Sequence, residues 1–226
     1  MSTYVLIPGA GSDSWLWHLL EPELRSRGHA VVAPDLPYDD DSADLSTYAD
    51  FVIDAIGDHA DLVVVGHSFG AFTAALVCDR ISVSQLVLLS GMIPQPGESP
   101  GEWWDNTGWA PPDDDDPFLH DVSPAISAEV PRHSLEQSGT PFAEPWPLDA
   151  WPHVPTRFLL CRDDRFFPAD FMRKVVADRL GLTPDEIDGG HLAPLTRPRE
   201  LAETLTEPIP KTFVGGVVVE PWRSRR

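Results

Sequence analysis

Hydrophobic positions along the first 90 residues alternate between short continuous runs and longer stretches with helical spacing. Continuous apolar runs predict strands that are covered on both faces, at residues 4–8, 29–33, 61–65 and 85–89. Apolar positions three and four residues apart predict the intervening helices, at residues 12–27, 45–59 and 69–80. Strands that alternate with helices predict an α/β fold with a mainly parallel sheet and helices on both of its faces.

This alternation stops after the fourth predicted strand. Residues from about 91 to 150 are rich in Pro, Trp and Asp and have weak periodicity, which indicates an insertion. The pattern then resumes with two strands, at 156–160 and near 186–187, and two helices, at 169–180 and about 192–205. We therefore expect one domain over residues 1–226, with a C-terminal extension from about 207 to 226 that the pattern does not place.

The composition of the chain argues against nucleic acid and membranes as binding partners. The formal net charge is −20, so the chain lacks the basic surface that nucleic acid binding requires. No run approaches the roughly 18 apolar residues of a membrane span, and the N-terminus has no basic segment before an apolar stretch. Two cysteines, Cys78 and Cys161, are too few for a disulfide scaffold. These features predict a cytoplasmic protein that acts on a small molecule, as a monomer or homodimer.

The sequence also lacks the usual signatures of bound cofactors. It contains no dinucleotide fingerprint, no P-loop and no histidine pair at metal-binding spacing. The four aspartates at 113–116 point in successive directions and do not have the spacing of a calcium loop. We expect no metal and no cofactor.

The pentapeptide Gly66-His67-Ser68-Phe69-Gly70 lies directly between a predicted strand and a predicted helix. A serine in such a tight turn has a strained backbone, and its hydroxyl projects clear of the sheet. Side chains at positions 66 and 70 would collide with the neighbouring strand and helix, which explains the two glycines. The pattern predicts that Ser68 is a nucleophile.

A serine nucleophile needs a base and an acid that orients the base. In this arrangement the chain order is serine, then acid, then histidine. Asp163 and Asp164 follow the predicted strand at 156–160, and His191 lies on a glycine loop before the last helix. We predict a triad of Ser68, Asp164 and His191, with Asp163 as the alternative acid or a residue that caps the turn.

The negative oxygen that forms during attack needs hydrogen-bond donors already in place. One donor is expected to be the backbone N–H of Phe69, directly after the nucleophile. The other is expected from the glycine-rich loop at 8–11, where the N–H of Ala10 is our candidate.

Together these motifs resemble the α/β-hydrolase superfamily. Within it they are similar to the compact branch of plant methylesterases, hydroxynitrile lyases and related bacterial esterases. The motifs that carry the resemblance are residues 7–11 with Trp15 and Trp17, the serine pentapeptide, residues 90–94, Asp164 with Pro168, and residues 190–192 with Pro198. The resemblance implies the α/β-hydrolase fold and hydrolysis of a carboxylic ester through an acyl-enzyme on Ser68.

The chain departs from this branch in two places. Pro8-Gly9 replaces the usual His-Gly of the oxyanion loop. Arginines, Arg162 and Arg165, lie near the acid where hydroxynitrile lyases have a lysine, which disfavours cyanohydrin cleavage. Thioester, lactone or C–C bond hydrolysis, or a lyase step, remain alternatives at the same triad. So does a non-catalytic protein of this fold that binds a small ligand.

The resemblance also implies that the insertion at 91–150 covers Ser68 as a lid and supplies pocket walls. Met92, Trp103 and Trp104 are the candidate pocket residues, which favours an apolar or aromatic substrate. The alternative is that the tryptophans anchor the insertion to the sheet.

Overall fold

The computed structural model of the chain describes residues 1–207. Apart from Glu207, the C-terminal extension predicted from about residue 207 lies outside the described residues.

A parallel sheet of six strands forms the centre of the described structure, in the order β2-β1-β3-β4-β5-β6. Its strands are β1 Thr3–Ile7, β2 Ala30–Val32, β3 Leu62–His67, β4 Gln85–Leu89, β5 Thr156–Cys161 and β6 Asp185–Ile187. Each neighbouring pair runs parallel. The predicted α/β class with a mainly parallel sheet is confirmed.

Helices cover both faces of this sheet. They are α1 Leu20–Ser26, α2 Leu45–Ile56, α3 Gly70–Arg80, α4 Pro100–Thr107, α5 Pro124–Ser127, α6 Thr140–Ala143, α7 Ala169–Leu180, α8 Ala193–Thr196 and α9 Pro198–Thr206. Val64 faces a core shared with α2, α3 and α7, whereas Val63 and Val65 face a core shared with α1, α8 and α9. Burial on both faces explains why the strands appear as continuous apolar runs.

Proline divides two of the predicted helices. The segment at 12–27 forms a 3-10 turn, Ser14–Trp17, and then α1, which carries Pro22 in its first turn. The segment at 192–205 forms α8 and α9, and Pro198 is the first residue of α9. Proline has no amide hydrogen to donate and disfavours helical geometry in the residue before it, so it is tolerated only near a helix start.

The insertion at 91–150 contains α4, α5, α6 and a 3-10 turn at Val130–Arg132. Its first part is fastened to the body of the protein by a buried ion pair between Glu98 and Arg179 of α7, whose side chains are 4% and 5% exposed. Arg179 also donates to the Ile93 carbonyl, which accepts a second hydrogen bond from the Trp103 indole at 3.0 Å. These contacts hold the segment against α7 although its sequence has little periodicity.

Candidate active site

Ser68 lies at the turn between β3 and α3. Its φ angle is 50°, in the left-handed region that residues other than glycine rarely adopt. The turn is held because the Ser68 amide donates to the Leu89 carbonyl at 3.1 Å and the Ser68 carbonyl accepts from the Met92 amide at 2.9 Å. Hydrogen bonds to β4 and to the chain just after it thus maintain the strained conformation expected of a nucleophile.

The glycines on either side of Ser68 allow close approach of two other segments. A Cβ atom at Gly70 would lie 2.3 Å from the carbonyl oxygen of Pro8, the residue directly after β1. A Cβ atom at Gly66 would lie 2.7 Å from the Ala74 Cβ, in α3. Any side chain at either position would push the turn away from its neighbours.

His191 and Asp164 form a buried pair beside this turn. The His191 Nδ1 and the Asp164 Oδ2 are 2.8 Å apart, and both side chains are at most 3% exposed. The other Asp164 oxygen accepts from the amides of Phe166 and Phe167 at 2.9 and 2.8 Å. These three hydrogen bonds fix the Asp164 carboxylate in one orientation.

Asp163 has a different role. Its side chain accepts a 3.1 Å hydrogen bond from the Gly189 amide, and its own amide donates to the Gly189 carbonyl. Asp163 therefore ties the loop after β5 to the loop that carries His191, and Asp164 is the aspartate that contacts the imidazole.

The charge on Asp164 follows from its surroundings. Burial acts to raise the pKa of Asp164, but the electrostatic interaction with the His191 ring and the hydrogen bonds from the imidazole and from Phe167 lower it by more. The net pKa is below the ordinary value, so the carboxylate is ionised at neutral pH. An ionised acceptor selects the tautomer with the proton on Nδ1 and leaves the Nε2 of His191 able to accept one.

His67 is a member of this cluster that the sequence pattern did not single out. Its Nε2 lies 2.9 Å from the His191 carbonyl oxygen, and the two rings have centroids 4.7 Å apart. Burial first, and then the nearby His191, lower the pKa of His67 from 6.5 to about 3. His67 is therefore neutral and donates from Nε2. A lone histidine at the end of an otherwise apolar strand was the available signal.

The loop after β1 lies against Ser68. A Cβ atom at Gly9 would lie 3.0 Å from the Ser68 Cβ. Within residues 1–207, neither the Ala10 amide nor the Phe69 amide donates a hydrogen bond. Within the described residues both predicted donors therefore lack an acceptor, which is the condition that an oxyanion donor must meet.

Three phenylalanine rings lie close to the His191 ring. Its ring centroid lies 5.3 to 5.4 Å from those of Phe118, Phe166 and Phe167. Phe142 stacks on Phe69 at 4.3 Å. The aromatic rings at the imidazole are therefore those of phenylalanines, whereas the sequence had pointed to tryptophans.

The three predicted pocket residues occupy different places. Met92 is 1% exposed and bonds the Ser68 carbonyl through its amide. Trp103 is fully buried in the core and packs against Phe167 and Phe171, so its contacts are those of an anchor. Trp104 is partly buried and packs against Trp103, Trp109, Phe166 and Phe167. Only Met92 among the three bonds directly to the turn that holds Ser68.

The described part of the chain lacks the features of a metal site and of a membrane span. Residues 1–207 contain no group of three or more His, Cys, Asp or Glu side chains arranged to hold a metal ion. No helix in this range is both long and apolar enough to cross a membrane.

Comparison with known proteins identifies the class that this fold and site define. The sequence model described as the alpha/beta hydrolase family matches residues 4–204. The chain belongs to this family and is a hydrolase of the α/β-hydrolase fold.

Individual relatives include plant enzymes. The chain is 24% identical to norfluorocurarine synthase 1 of Strychnos nux-vomica and 24% identical to methylesterase 3 of Arabidopsis thaliana, in each case over 90% of this chain and 94% of the relative. A crystal structure of polyneuridine aldehyde esterase superimposes with a TM-score of 0.78 at 20% identity, over 91% of this chain and 98% of the other. The structural likeness supports the fold.

Proposed function

We propose that this hydrolase cleaves the carboxylic ester of a small, apolar or aromatic substrate through an acyl-enzyme on Ser68. The observation that carries the proposal is the buried hydrogen bond between His191 and an ionised Asp164, next to a strained serine turn. The methylesterase and esterase names among the relatives favour an ester over other acyl compounds.

Each group has a defined task in this proposal. The Ser68 oxygen attacks the ester carbonyl carbon as the His191 Nε2 takes its proton, and the amides of Ala10 and Phe69 bind the resulting oxyanion. His191 then donates that proton to the departing alcohol, which leaves the acyl group on Ser68. A water molecule repeats the sequence in the second half, releasing the acid and restoring the serine. Asp164 stays ionised and stabilises the imidazolium.

The surroundings of the site support the choice of substrate. The phenylalanines around His191 and Phe69 offer apolar contacts to an alkyl or aryl group. The net charge of −20 disfavours approach of an anionic substrate. A neutral ester of a small acid fits both properties.

A second candidate is a lyase or C–C-cleaving step at the same residues. It is favoured by a relative that is named a synthase rather than an esterase. Such a reaction would use His191 as the base without an acyl group on Ser68. Trapping of the acyl-enzyme separates the two candidates.

The test is turnover of 4-nitrophenyl acetate by the wild-type protein, Ser68→Ala and Ser82→Ala, where Ser82 is an exposed serine that serves as the matched control. We expect Ser68→Ala to lose about 10³-fold or more in kcat, and Ser82→Ala to behave as wild type. A fluorophosphonate should label Ser68 in the wild-type protein. Undiminished hydrolysis by Ser68→Ala would refute the proposal. Turnover of other substrates with no acylation of Ser68 would favour the lyase.

A further inference from the structure

A segment of the insertion pairs with the loop that carries the predicted oxyanion donor. The Leu135 amide donates to the Gly11 carbonyl at 2.8 Å, and the Gly11 amide donates to the Gln137 side-chain oxygen at 3.2 Å. Ser12 and Ser134 form an antiparallel bridge directly beside these contacts. Both backbone groups of Gly11 are therefore held by the insertion.

The pairing depends on close approach at Gly11. Its φ angle is +63°, and a Cβ atom there would lie 3.0 Å from the Leu135 carbonyl oxygen. Glycine is the residue that tolerates both conditions. Ala10 lies between this anchored glycine and Gly9, which contacts Ser68. Two neighbours therefore set the direction of the Ala10 N–H. Gly11 is held by the insertion, and Gly9 is packed against Ser68.

Gln137 is itself fixed from the other side. Its amide nitrogen donates to the Tyr48 hydroxyl at 3.0 Å and to the Ser138 carbonyl at 3.1 Å. Tyr48 belongs to α2 and is fully buried. Ser138 is buried as well, and its hydroxyl donates to Asp41 at 2.8 Å. One side-chain amide thus connects a helix of the core to the loop beside Ser68.

We infer that Gln137 is a positioning residue for the oxyanion hole, holding Gly11 so that the Ala10 N–H points at the oxygen that develops negative charge. The inference rests on the proposed function. Gln137 acts through the loop and does not touch the substrate. A displacement of about 1 Å in such a donor is enough to lower the rate substantially.

The test compares three variants of the full chain with 4-nitrophenyl acetate. Gln137→Met has a similar length but can neither accept from Gly11 nor donate to Tyr48. We expect its kcat to fall roughly 10- to 100-fold while KM changes less than about 3-fold, because the lost interaction matters in the transition state. Gln137→Glu should recover part of kcat, since one carboxylate oxygen can accept from Gly11 and the other from the Tyr48 hydroxyl, while the hydrogen bond to the Ser138 carbonyl is lost. Glu136→Gln, at an exposed neighbour, is the matched control and should match wild type.

A second readout separates positioning from general stability. The phosphoryl oxygen of a fluorophosphonate occupies the oxyanion hole, so the labelling rate of Gln137→Met should fall with kcat while its melting temperature stays near that of Gln137→Glu. If Gln137→Met does not fold, Gln137→Asn replaces it, because the shorter amide stays polar but cannot span both partners.

Retention of kcat within about 3-fold in the Met or Asn variant would overturn the inference. So would a loss of kcat without a parallel loss of labelling, or the absence of any recovery in Gln137→Glu. These failures are distinct from failure of the proposed function, which is reported by Ser68→Ala alone.

Discussion

The buried histidine next to the nucleophile should make the protein sensitive to acid. His67 is 2% exposed, and its pKa is lowered from 6.5 to about 3 by burial and by His191. Below its ordinary pKa the unfolded chain binds a proton at this position, whereas the folded protein does not. Proton binding at His67 therefore favours the unfolded chain, and the free energy of unfolding decreases progressively as the pH falls from about 6.5 towards about 3.

The size of this effect follows from the shift. One pH unit corresponds to about 1.4 kcal/mol, so at about pH 5, roughly 1.5 units below the ordinary value, the loss is about 2 kcal/mol relative to about pH 8. His67→Gln places an amide donor near the position of Nε2 but cannot titrate. The acid-induced loss of stability should therefore be about 2 kcal/mol smaller in His67→Gln than in wild type.

The assay is urea unfolding at the two pH values, followed by the fluorescence of the buried tryptophans Trp17, Trp103 and Trp146. Free energies come from linear extrapolation. His59→Gln is the matched control, because His59 is exposed on the surface. The stability of this variant should depend on pH as that of the wild-type protein does. Equal losses in wild type and His67→Gln, to within about 0.5 kcal/mol, would show that His67 is not held neutral in the folded protein.

Two further substitutions test the turn and the acid. Gly70→Ala places a Cβ 2.3 Å from the Pro8 oxygen, about 1 Å inside ordinary contact. The variant should lose about 1–3 kcal/mol of unfolding free energy, and its kcat/KM should fall about 100-fold. Gly139→Ala is the control, because its Cβ meets nothing within 4 Å, and urea titrations and kinetics should show an unchanged free energy of unfolding and an unchanged kcat/KM. Equal losses in Gly70→Ala and Gly139→Ala would contradict the steric argument. Asp164→Asn should lower kcat about 10⁴-fold by favouring the wrong imidazole tautomer, whereas Asp163→Asn should stay within about 10-fold; matching losses would disprove the assignment.

Periodicity predicted the sheet well because each strand is covered on both faces. The predicted strand at 85–89 coincides with β4, the one at 61–65 overlaps β3, and α7 was predicted with its observed bounds, Ala169–Leu180. The positions of Ser68, Asp164 and His191 were predicted from the order of groups along the chain, because each follows a strand that periodicity had already placed. The divided helices were missed because Pro22 and Pro198 interrupt backbone hydrogen bonding without disturbing the apolar spacing.

Contacts made by loops could not be predicted in the same way. The Gly11–Gln137 hydrogen bond spans 126 positions of the chain, and the His67–His191 bond spans 124. Neither pair has a spacing or motif that points to its partner. The role of Trp103 was equally open, because a tryptophan that anchors the insertion and one that lines a pocket have the same sequence signature.

The insertion contacts three of the loops that carry predicted catalytic groups. Besides the bond from Gly11 to Gln137, the Gly190 amide donates to the Asp121 carboxylate at 2.8 Å, directly before His191. The Trp109 indole donates to the Phe166 carbonyl at 2.9 Å, just after the aspartates. Because the insertion holds these loops, we expect that it cannot be altered for substrate choice alone. If Ser68, Asp164 and His191 catalyse the proposed reaction, substitutions that reshape the insertion should change kcat together with KM, because this segment holds the loops on which the geometry of those residues depends.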